Sequence, residues 1–447
     1  MKKLKNRQKS KPLTISFKNN QNKPKPGDKV EVQLIKENYK GILLESPEND
    51  KNILVLKLDS GYNIGLDKKK ILEIKILKKF SEKEAKIEIK KSKEKPNIAM
   101  IITGGTISAR LNSKKGGVDW LDTPESLFKY YPEIFERINV AKIEVPFMKA
   151  SEDMDFKDWK KIARVAEKFL NDPNIKGIII TQGTDFLHYT SAALSFFLKN
   201  LNKPVVLTYS QRSIDRASSD ARLNLKCSAL AAISDIAEIM VVGHATINDD
   251  FCYAIPGTKA RKMHSSRRDA FKPINTKPFA KIFEDRIEII SNYKKRNNKK
   301  KIKIDSKFEE KVALVKIYPG QNPEILDYYL KKKYKGIVLE LSGLGHAPTK
   351  RARKSWTKKL KDVQKKGLII CAAVQTIYGR LDPLVYSNGR ELLKTGIIYL
   401  EDMLPETALV KLGYVLAKTK DRDKIKELML TNMAHEINHK LEIDYDF

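Results

Sequence analysis

Apolar positions along the chain follow two patterns. From Gly27 to about Leu77 they come in short or alternating runs: Lys29-Val30-Glu31-Val32, Gly41-Ile42-Leu43-Leu44 and Ile53-Leu54-Val55-Leu56-Lys57-Leu58. Asp59-Ser60-Gly61-Tyr62-Asn63 interrupts them as a hairpin-type turn. Several short strands in so small a space predict a small β-barrel over 27–78. Beyond residue 96 the runs are apolar without alternation, as in strands buried on both faces of a parallel sheet. They predict strands at 97–102, 141–146, 176–181, 204–209 and 238–243, then at 312–316, 336–341 and 368–373. Helical stretches lie between them, such as Trp159 to Leu170 and Ser191 to Lys199, and more follow from about Asp402. Alternation of buried strands with helices predicts an α/β, doubly wound architecture in two parts, 97–290 and 311–447.

Polar stretches punctuate this pattern. Residues 1–26 are basic and carry Pro12, Pro24 and Pro26, the composition of a disordered tail. Residues 79–96 are Lys- and Glu-rich and form a charged linker. A basic linker, 291–310, contains Lys294-Lys295-Arg296-Asn297-Asn298-Lys299-Lys300-Lys301, an exposed loop that is either a solvated connection or an RNA contact.

Charge adds a partner class. The 447 residues carry a formal net charge of +32, which favours a polyanion, RNA before membrane. A lysine-rich bias spread over the whole chain is the competing explanation. Cys227, Cys252 and Cys371 stand far apart without CxxC spacing, which argues against disulfides and cysteine zinc sites and fits a reducing cytosol. The start Met1-Lys2-Lys3-Leu4-Lys5 has no apolar signal region, and no apolar run has membrane-spanning length. A soluble, cytoplasmic protein is expected.

The chemistry sits at the ends of two apolar runs. Ile98-Ala99-Met100-Ile101-Ile102 leads into Thr103-Gly104-Gly105-Thr106-Ile107, and Ile178-Ile179-Ile180 leads into Thr181-Gln182-Gly183-Thr184-Asp185. Ligands of open α/β sheets bind where strand carboxyl ends meet loops. A Thr hydroxyl is a poor nucleophile unless a base and oxyanion donors stand beside it. Gly104 and Gly105 let backbone N–H groups approach a substrate carbonyl. Asp185 can orient a Lys or bind an ammonium group, and a neutral Lys can serve as the base. The first turn fits neither GxxxxGK[ST] nor GxGxxG, which speaks against nucleotide binding.

Thr103-Gly104-Gly105-Thr106-Ile107 together with Gly183-Thr184-Asp185 resembles the bacterial-type L-asparaginase/glutaminase family. Four further features resemble the D subunit of archaeal glutamyl-tRNA(Gln) amidotransferase. They are Ser210-Gln211-Arg212-Ser213 with the residues to Ala221, the stretch from Arg261-Lys262-Met263-His264 to Phe271, Thr376-Ile377-Tyr378-Gly379-Arg380, and Glu401-Asp402-Met403-Leu404-Pro405-Glu406. The barrel segment Leu56 to Asn63 fits the same family, and the likeness spans about residues 27 to 440.

This resemblance implies an asparaginase-like two-domain fold behind the barrel and a site that hydrolyses side-chain amides through a Thr acyl-enzyme. By resemblance, Thr106 is the nucleophile of the first motif, and whether Thr106 or Thr184 forms the acyl-enzyme stays open. Thr184, Asp185 and Lys262 form the second catalytic group, and Lys262 deprotonates Thr184 or a water. Ser151 and Glu152 bind the α-amino and α-carboxylate groups of the substrate, and Gly105 and Gly183 line the site. The implied activity is release of ammonia from glutamine, with asparagine as an alternative donor. A partner, the E subunit of the amidotransferase, uses ATP to activate Glu-tRNA(Gln). The chain itself needs no cofactor and no metal, and a homodimer within a heterotetramer is implied. The rival functions are a free-standing L-asparaginase and a catalytically idle RNA-binding scaffold.

Some positions have a second reading. Ser151 could instead cap a helix starting near Phe156. His264 is expected to pack or hydrogen-bond rather than catalyse, and His435-Glu436-Ile437-Asn438-His439 lacks the HExxH zinc spacing. The family commonly carries a Tyr soon after the first motif. Here Arg110 to Gly117 has none, and the next is Tyr130. Gln182 stands where a His is common and Phe186 where a Thr is common.

Overall fold

The computed structural model describes residues 23–44, 46, 52–58, 63–79, 92–111, 118–120, 136–213 and 219–441. The expected tail up to residue 22, most of the charged linker, residues 59–62 of the hairpin turn and residues 112–117 lie outside them. The chain divides into two compact units. One takes in 1–88, 109–130 and 212–219, and the other takes in 89–108, 131–211 and 220–447.

In the first unit, strands β1 (Lys29–Leu34), β2 (Asn38–Leu44), β3 (Ile53–Leu58), β4 (Asn63–Asp67) and β5 (Ile71–Lys78) form an antiparallel sheet in the order β4-β3-β2-β1-β5. Alternation places Val30, Val32, Leu43, Leu54, Leu56, Leu66 and Ile71 in one core. Leu66 and Ile71 come from the two outermost strands, so the sheet is rolled as a barrel is. A single turn, Lys68–Lys70, joins those strands. Asp67 caps it by accepting from the Lys69 amide at 2.9 Å.

The second unit opens with β6 (Asn97–Ile102), followed in the chain by the hairpin β7 (Ala109–Leu111) and β8 (Val118–Trp120), which clusters with the first unit. Next come β9 (Asn139–Glu144), α1 (Phe156–Leu170), β10 (Ile178–Thr181), α2 (Leu187–Phe197), β11 (Leu198–Lys199), β12 (Val205–Thr208), α3 (Ala221–Ile233) and β13 (Ile239–His244). The chain continues through β14 (Cys252–Pro256), β15 (Ala260–Lys262), β16 (Phe271–Pro273), β17 (Ala280–Ile282), β18 (Ile287–Ile289) and β19 (Lys303–Ile304). The main sheet runs β18-β17-β14-β13-β12-β10-β6-β9. From β13 to β9 the strands are parallel, as the apolar runs predict. The other three are antiparallel, an extension that their short, polar-interrupted sequences do not announce.

Within the parallel part the strand order reverses between β6 and β10, so a crevice opens at their carboxyl ends. Both Thr-bearing turns leave from that crevice.

Strand β9 begins two residues earlier than its apolar run predicts. The Asn139 amide group donates to Ser92 O at 2.6 Å and Lys95 O at 3.0 Å, which fixes where pairing starts. Helix α1 begins at Phe156 because Asp155 and Asp158 form a reciprocal capping box. Its buried face is Ile162, Ala163, Val165, Ala166, Phe169 and Leu170. Helix α2 begins at Leu187, a turn before the predicted start.

The remaining elements are β20 (Val312–Lys316), α4 (Ile325–Lys331), β21 (Gly336–Leu341), α5 (Thr357–Lys365), β22 (Ile369–Val374), α6 (Ser387–Leu393), β23 (Ile398–Tyr399), α7 (Pro405–Leu416) and α8 (Arg422–Leu430). The four strands form a parallel sheet in chain order. Helix α7 packs on β20 and β21 and also on α2, where Tyr414 stacks on Phe196 at 5.9 Å. One apolar core therefore continues from the main sheet into this part. The basic run 294–301 is largely exposed, but Arg296 is tied down by donating to the carbonyls of Lys176 and Ser234. All three cysteines are free and buried, and burial pushes the Cys371 thiol up to about 12.

Candidate active site

Three loops converge at the carboxyl end of the crevice. The loop after β6 is pinned by Thr103, whose hydroxyl donates to Thr181 O at 2.8 Å while its carbonyl accepts from the Lys149 amide at 2.9 Å. Thr103 is thus a structural hinge between β6, β10 and the loop after β9. Gly105 has φ +85°, and a Cβ there would lie 2.2 Å from the Gly183 nitrogen, so only glycine lets the two turns touch. A Cβ on Gly183 would in turn meet the Ser151 hydroxyl at 3.2 Å. Gly105, Gly183 and Ser151 therefore share one floor.

Ser151 does not cap α1, since Asp155 does. It opens a single turn, Ser151–Asp153, and its buried hydroxyl accepts from the Phe186 amide at 3.2 Å. Glu152 is exposed beside it, and the Ser151 hydroxyl lies 3.4 Å from a Glu152 carboxylate oxygen. This contact between Ser151 and the start of α2 explains the early start of that helix. No local sequence signal marks it.

Thr184 and Asp185 follow the Gly183 turn. Lys262 reaches them from β15, although it lies 78 residues from Thr184 in the chain. Its Nζ donates to Thr184 Oγ1 at 2.8 Å and to Asp185 Oδ1 at 2.7 Å. The Lys262 side chain is 10% exposed and that of Asp185 58%, so the amine is sheltered while the carboxyl group beside it faces solvent. Thr106 opens the turn Thr106–Ser108 and is half-buried. Among the described residues its hydroxyl has no hydrogen-bond partner.

On the next turn, His188 is buried. Burial, helped by the charges of Arg261 and Lys262, pushes it down to about 3, so it is neutral here. His264 uses Nδ1 to accept from the amides of Ser266 and Arg267 at 3.0 and 3.1 Å, a local turn contact. Gln182 is fully buried, and neither end of its carboxamide has a partner among the described residues. Farther off, His435 pairs with Glu238 and Glu436 with Lys411. Gln211 donates its backbone amide to the Asp220 carboxylate at 3.0 and 2.9 Å.

The arrangement supplies a Thr hydroxyl beside an amine, a carboxylate to orient that amine, and a glycine-floored approach for a carbonyl. It suits acyl transfer from an amide.

Residues 97–295 match the family described as Asparaginase, N-terminal, and residues 311–429 match the Glutaminase/Asparaginase C-terminal domain. Residues 24–77 match the GatD N-terminal domain. The D subunit of glutamyl-tRNA(Gln) amidotransferase from Pyrococcus furiosus is 46% identical over 420 residues, 93% of this chain and 93% of that protein. The chain belongs to the family of glutamyl-tRNA(Gln) amidotransferase D subunits. The corresponding protein of Sulfurisphaera tokodaii is 41% identical over 430 residues, 94% of this chain and 93% of that one. Among solved structures, the thermostable L-asparaginase from Thermococcus kodakarensis matches with a TM-score of 0.68 at 28% identity. It aligns along its whole length and covers 77% of this chain. L-asparaginase I from Vibrio cholerae gives 0.65 at 27% identity, covering 77% of this chain and 99% of that one. The amidotransferase family thus joins an asparaginase-like α/β body to a small N-terminal β domain. Among the described residues no helix is long and apolar enough to cross a membrane.

Proposed function

We propose that this chain is the ammonia-generating subunit of a tRNA-dependent amidotransferase that converts Glu-tRNA(Gln) to Gln-tRNA(Gln). The observation that carries the reading is the Lys262 amine, within 2.8 Å of Thr184 Oγ1 and 2.7 Å of Asp185. In this reading glutamine, or asparagine as the alternative donor, lies over the Gly105–Gly183 floor. Ser151 and Glu152 hold its α-substituents. Thr106 Oγ attacks the side-chain carbonyl carbon, the C–N bond breaks, and the hydroxyl proton leaves with the amine as ammonia. Backbone N–H groups at the two glycine turns stabilise the oxyanion. Water then cleaves the ester, with Lys262, oriented by Asp185, acting as base through Thr184. Glutamate leaves and the Thr106 hydroxyl is restored.

The ammonia is consumed by a partner, the E subunit, which activates the glutamyl group with ATP. This chain needs no cofactor or metal of its own. The complex is a heterotetramer built on a homodimer of this chain and works in the cytoplasm. The +32 charge suits an assembly that holds tRNA. Against a free-standing asparaginase stand the N-terminal β domain and the relatives named above.

Ammonia release from glutamine, by the chain alone and then with partner, Glu-tRNA(Gln) and ATP, tests the reading. Strong stimulation by the full set is expected, and Thr106→Ala and Thr184→Ala should each abolish release while salt-dependent tRNA binding survives. Rapid asparagine hydrolysis indifferent to partner and tRNA would overturn it in favour of a free-standing asparaginase. Retained activity in Thr184→Ala would overturn the catalytic assignment.

A further inference from the structure

Lys262 is carried on a slender support. Among the described residues strand β15 pairs only with β16, through Ala260↔Pro273, Arg261↔Lys272 and Lys262↔Phe271. A two-stranded ribbon of that size is marginal without tertiary support. The support comes from the other face. Side chains alternate along an extended strand, so Arg261 points away from Lys262, while Lys259 stands in the turn just before β15; both end on acids around the start of α7. Lys259 Nζ lies 2.6 Å from Asp402 Oδ2, both side chains fully buried, and also donates to the Asp402 carbonyl at 3.2 Å. Asn438 satisfies the rest of that carboxylate through its amide at 2.8 Å and its side chain at 2.9 Å. Arg261 Nη2 lies 3.1 Å from Glu406 Oε1.

The neighbouring segments reinforce the same place. The amide of Ile274, just past β16, donates to Lys259 O at 2.9 Å. Asn275 exchanges two hydrogen bonds with Gly379, at 2.8 and 3.0 Å. Arg380 pairs with Glu401. Three stretches that the sequence singles out, around Arg261, around Gly379 and from Glu401 to Glu406, therefore meet at the back of the strand that carries Lys262.

We propose that Asp402 and Glu406 are positioning residues. Through Lys259 and Arg261 they hold β15 so that the Lys262 amine reaches Thr184 and Asp185 together. The proposal rests on the reading of Lys262 as the base. Displacing a catalytic group by an ångström costs on the order of 10²-fold in rate, so a mount of this kind controls turnover rather than substrate affinity. Arg261 pairs with Glu406 on α7, and its charge also acts on Glu340 of β21 and on His188 and Tyr189 of α2. Lys316 on β20 faces Glu340.

The test is steady-state glutamine hydrolysis by the full complex. Glu406→Ala should lower kcat by about 10–100-fold with KM within about threefold, while Glu406→Gln, which keeps an acceptor for Arg261, should recover most of the rate. Arg261→Met should reproduce the loss, and the double variant should be no worse than either single one. Folded fractions, measured by circular dichroism, normalise every rate. A rise in KM with kcat kept, additive losses, or a rate that only follows the folded fraction would overturn the mount. The underlying reading fails separately: Lys262→Ala would then keep the wild-type kcat, whatever Glu406 does.

Discussion

Gly105 and Gly183 touch through their backbones, and a methyl group on the first would sit 2.2 Å from the amide nitrogen of the second. At φ +85° Gly105 also occupies backbone space that side-chain-bearing residues avoid. Gly105→Ala must therefore push the two Thr turns apart. Amide hydrolysis should fall by at least about 10²-fold, and a crystal structure of the variant should show a wider gap between the loops. Wild-type kcat/KM in this variant would refute the shared floor.

Asp185 offers a cleaner separation of chemistry from stability. Its side chain is 58% exposed, so its pair with Lys262 adds little to folding. Asp185→Asn should change unfolding free energy by less than about 1 kcal/mol and lower kcat by about 10²-fold or more. Denaturant melts alongside ammonia assays check both halves.

His188 ties stability to pH. Its folded form titrates at about 3 against an ordinary 6.5, chiefly through burial. Between those values the unfolded chain holds the extra proton, so this contribution is full above about pH 6.5 and is lost progressively as pH falls towards 3. The loss approaches about 1.4 kcal/mol per pH unit. In His188→Gln the fall in urea midpoint between about pH 6.5 and about pH 4.5 should be shallower. An unchanged slope would assign the acid sensitivity elsewhere.

Lys411 and Glu436 are both fully buried, 2.6 Å apart. Lys411 also donates to the carbonyls of Met429 and Thr431 at 2.9 and 2.6 Å. Lys411→Met removes the counter-charge of Glu436, whose buried carboxylate keeps the amides of Met433 and Ala434 as donors, and should cost about 3–5 kcal/mol. Adding Glu436→Gln should return part of that. Urea unfolding of the three variants reads the cycle.

The legible features were those written locally. The runs at 97–102, 312–316 and 336–341 are strands at those residues because apolar continuity over five or six positions allows little else. The Thr turns were legible because glycine beside threonine at a strand end is a local signature. Lys262 carried no local mark among so many lysines, and only likeness to a family set it apart. Its approach to Thr184 depends on a ribbon that folds back from 78 residues away. The pairings of Lys259 and Arg261 were hidden for the same reason, since nothing near them names Asp402 or Glu406. The antiparallel strands β14, β17 and β18 escaped because strands of three to five residues interrupted by Tyr253, Lys281 or Glu288 lack a clear period.

The sequestered thiols have a practical side. Cys227 donates its Sγ–H to the Ile282 carbonyl at 3.2 Å. Burial raises Cys252 well beyond an ordinary thiol, and Cys371 is held as a thiol through neutral pH. Maleimides and similar labels should leave the native protein unmarked. A single cysteine placed at an exposed position such as Tyr318 or Leu384 would then be the sole reactive handle, and the chain can be fitted with a fluorophore or cross-linker without first removing its own sulfur.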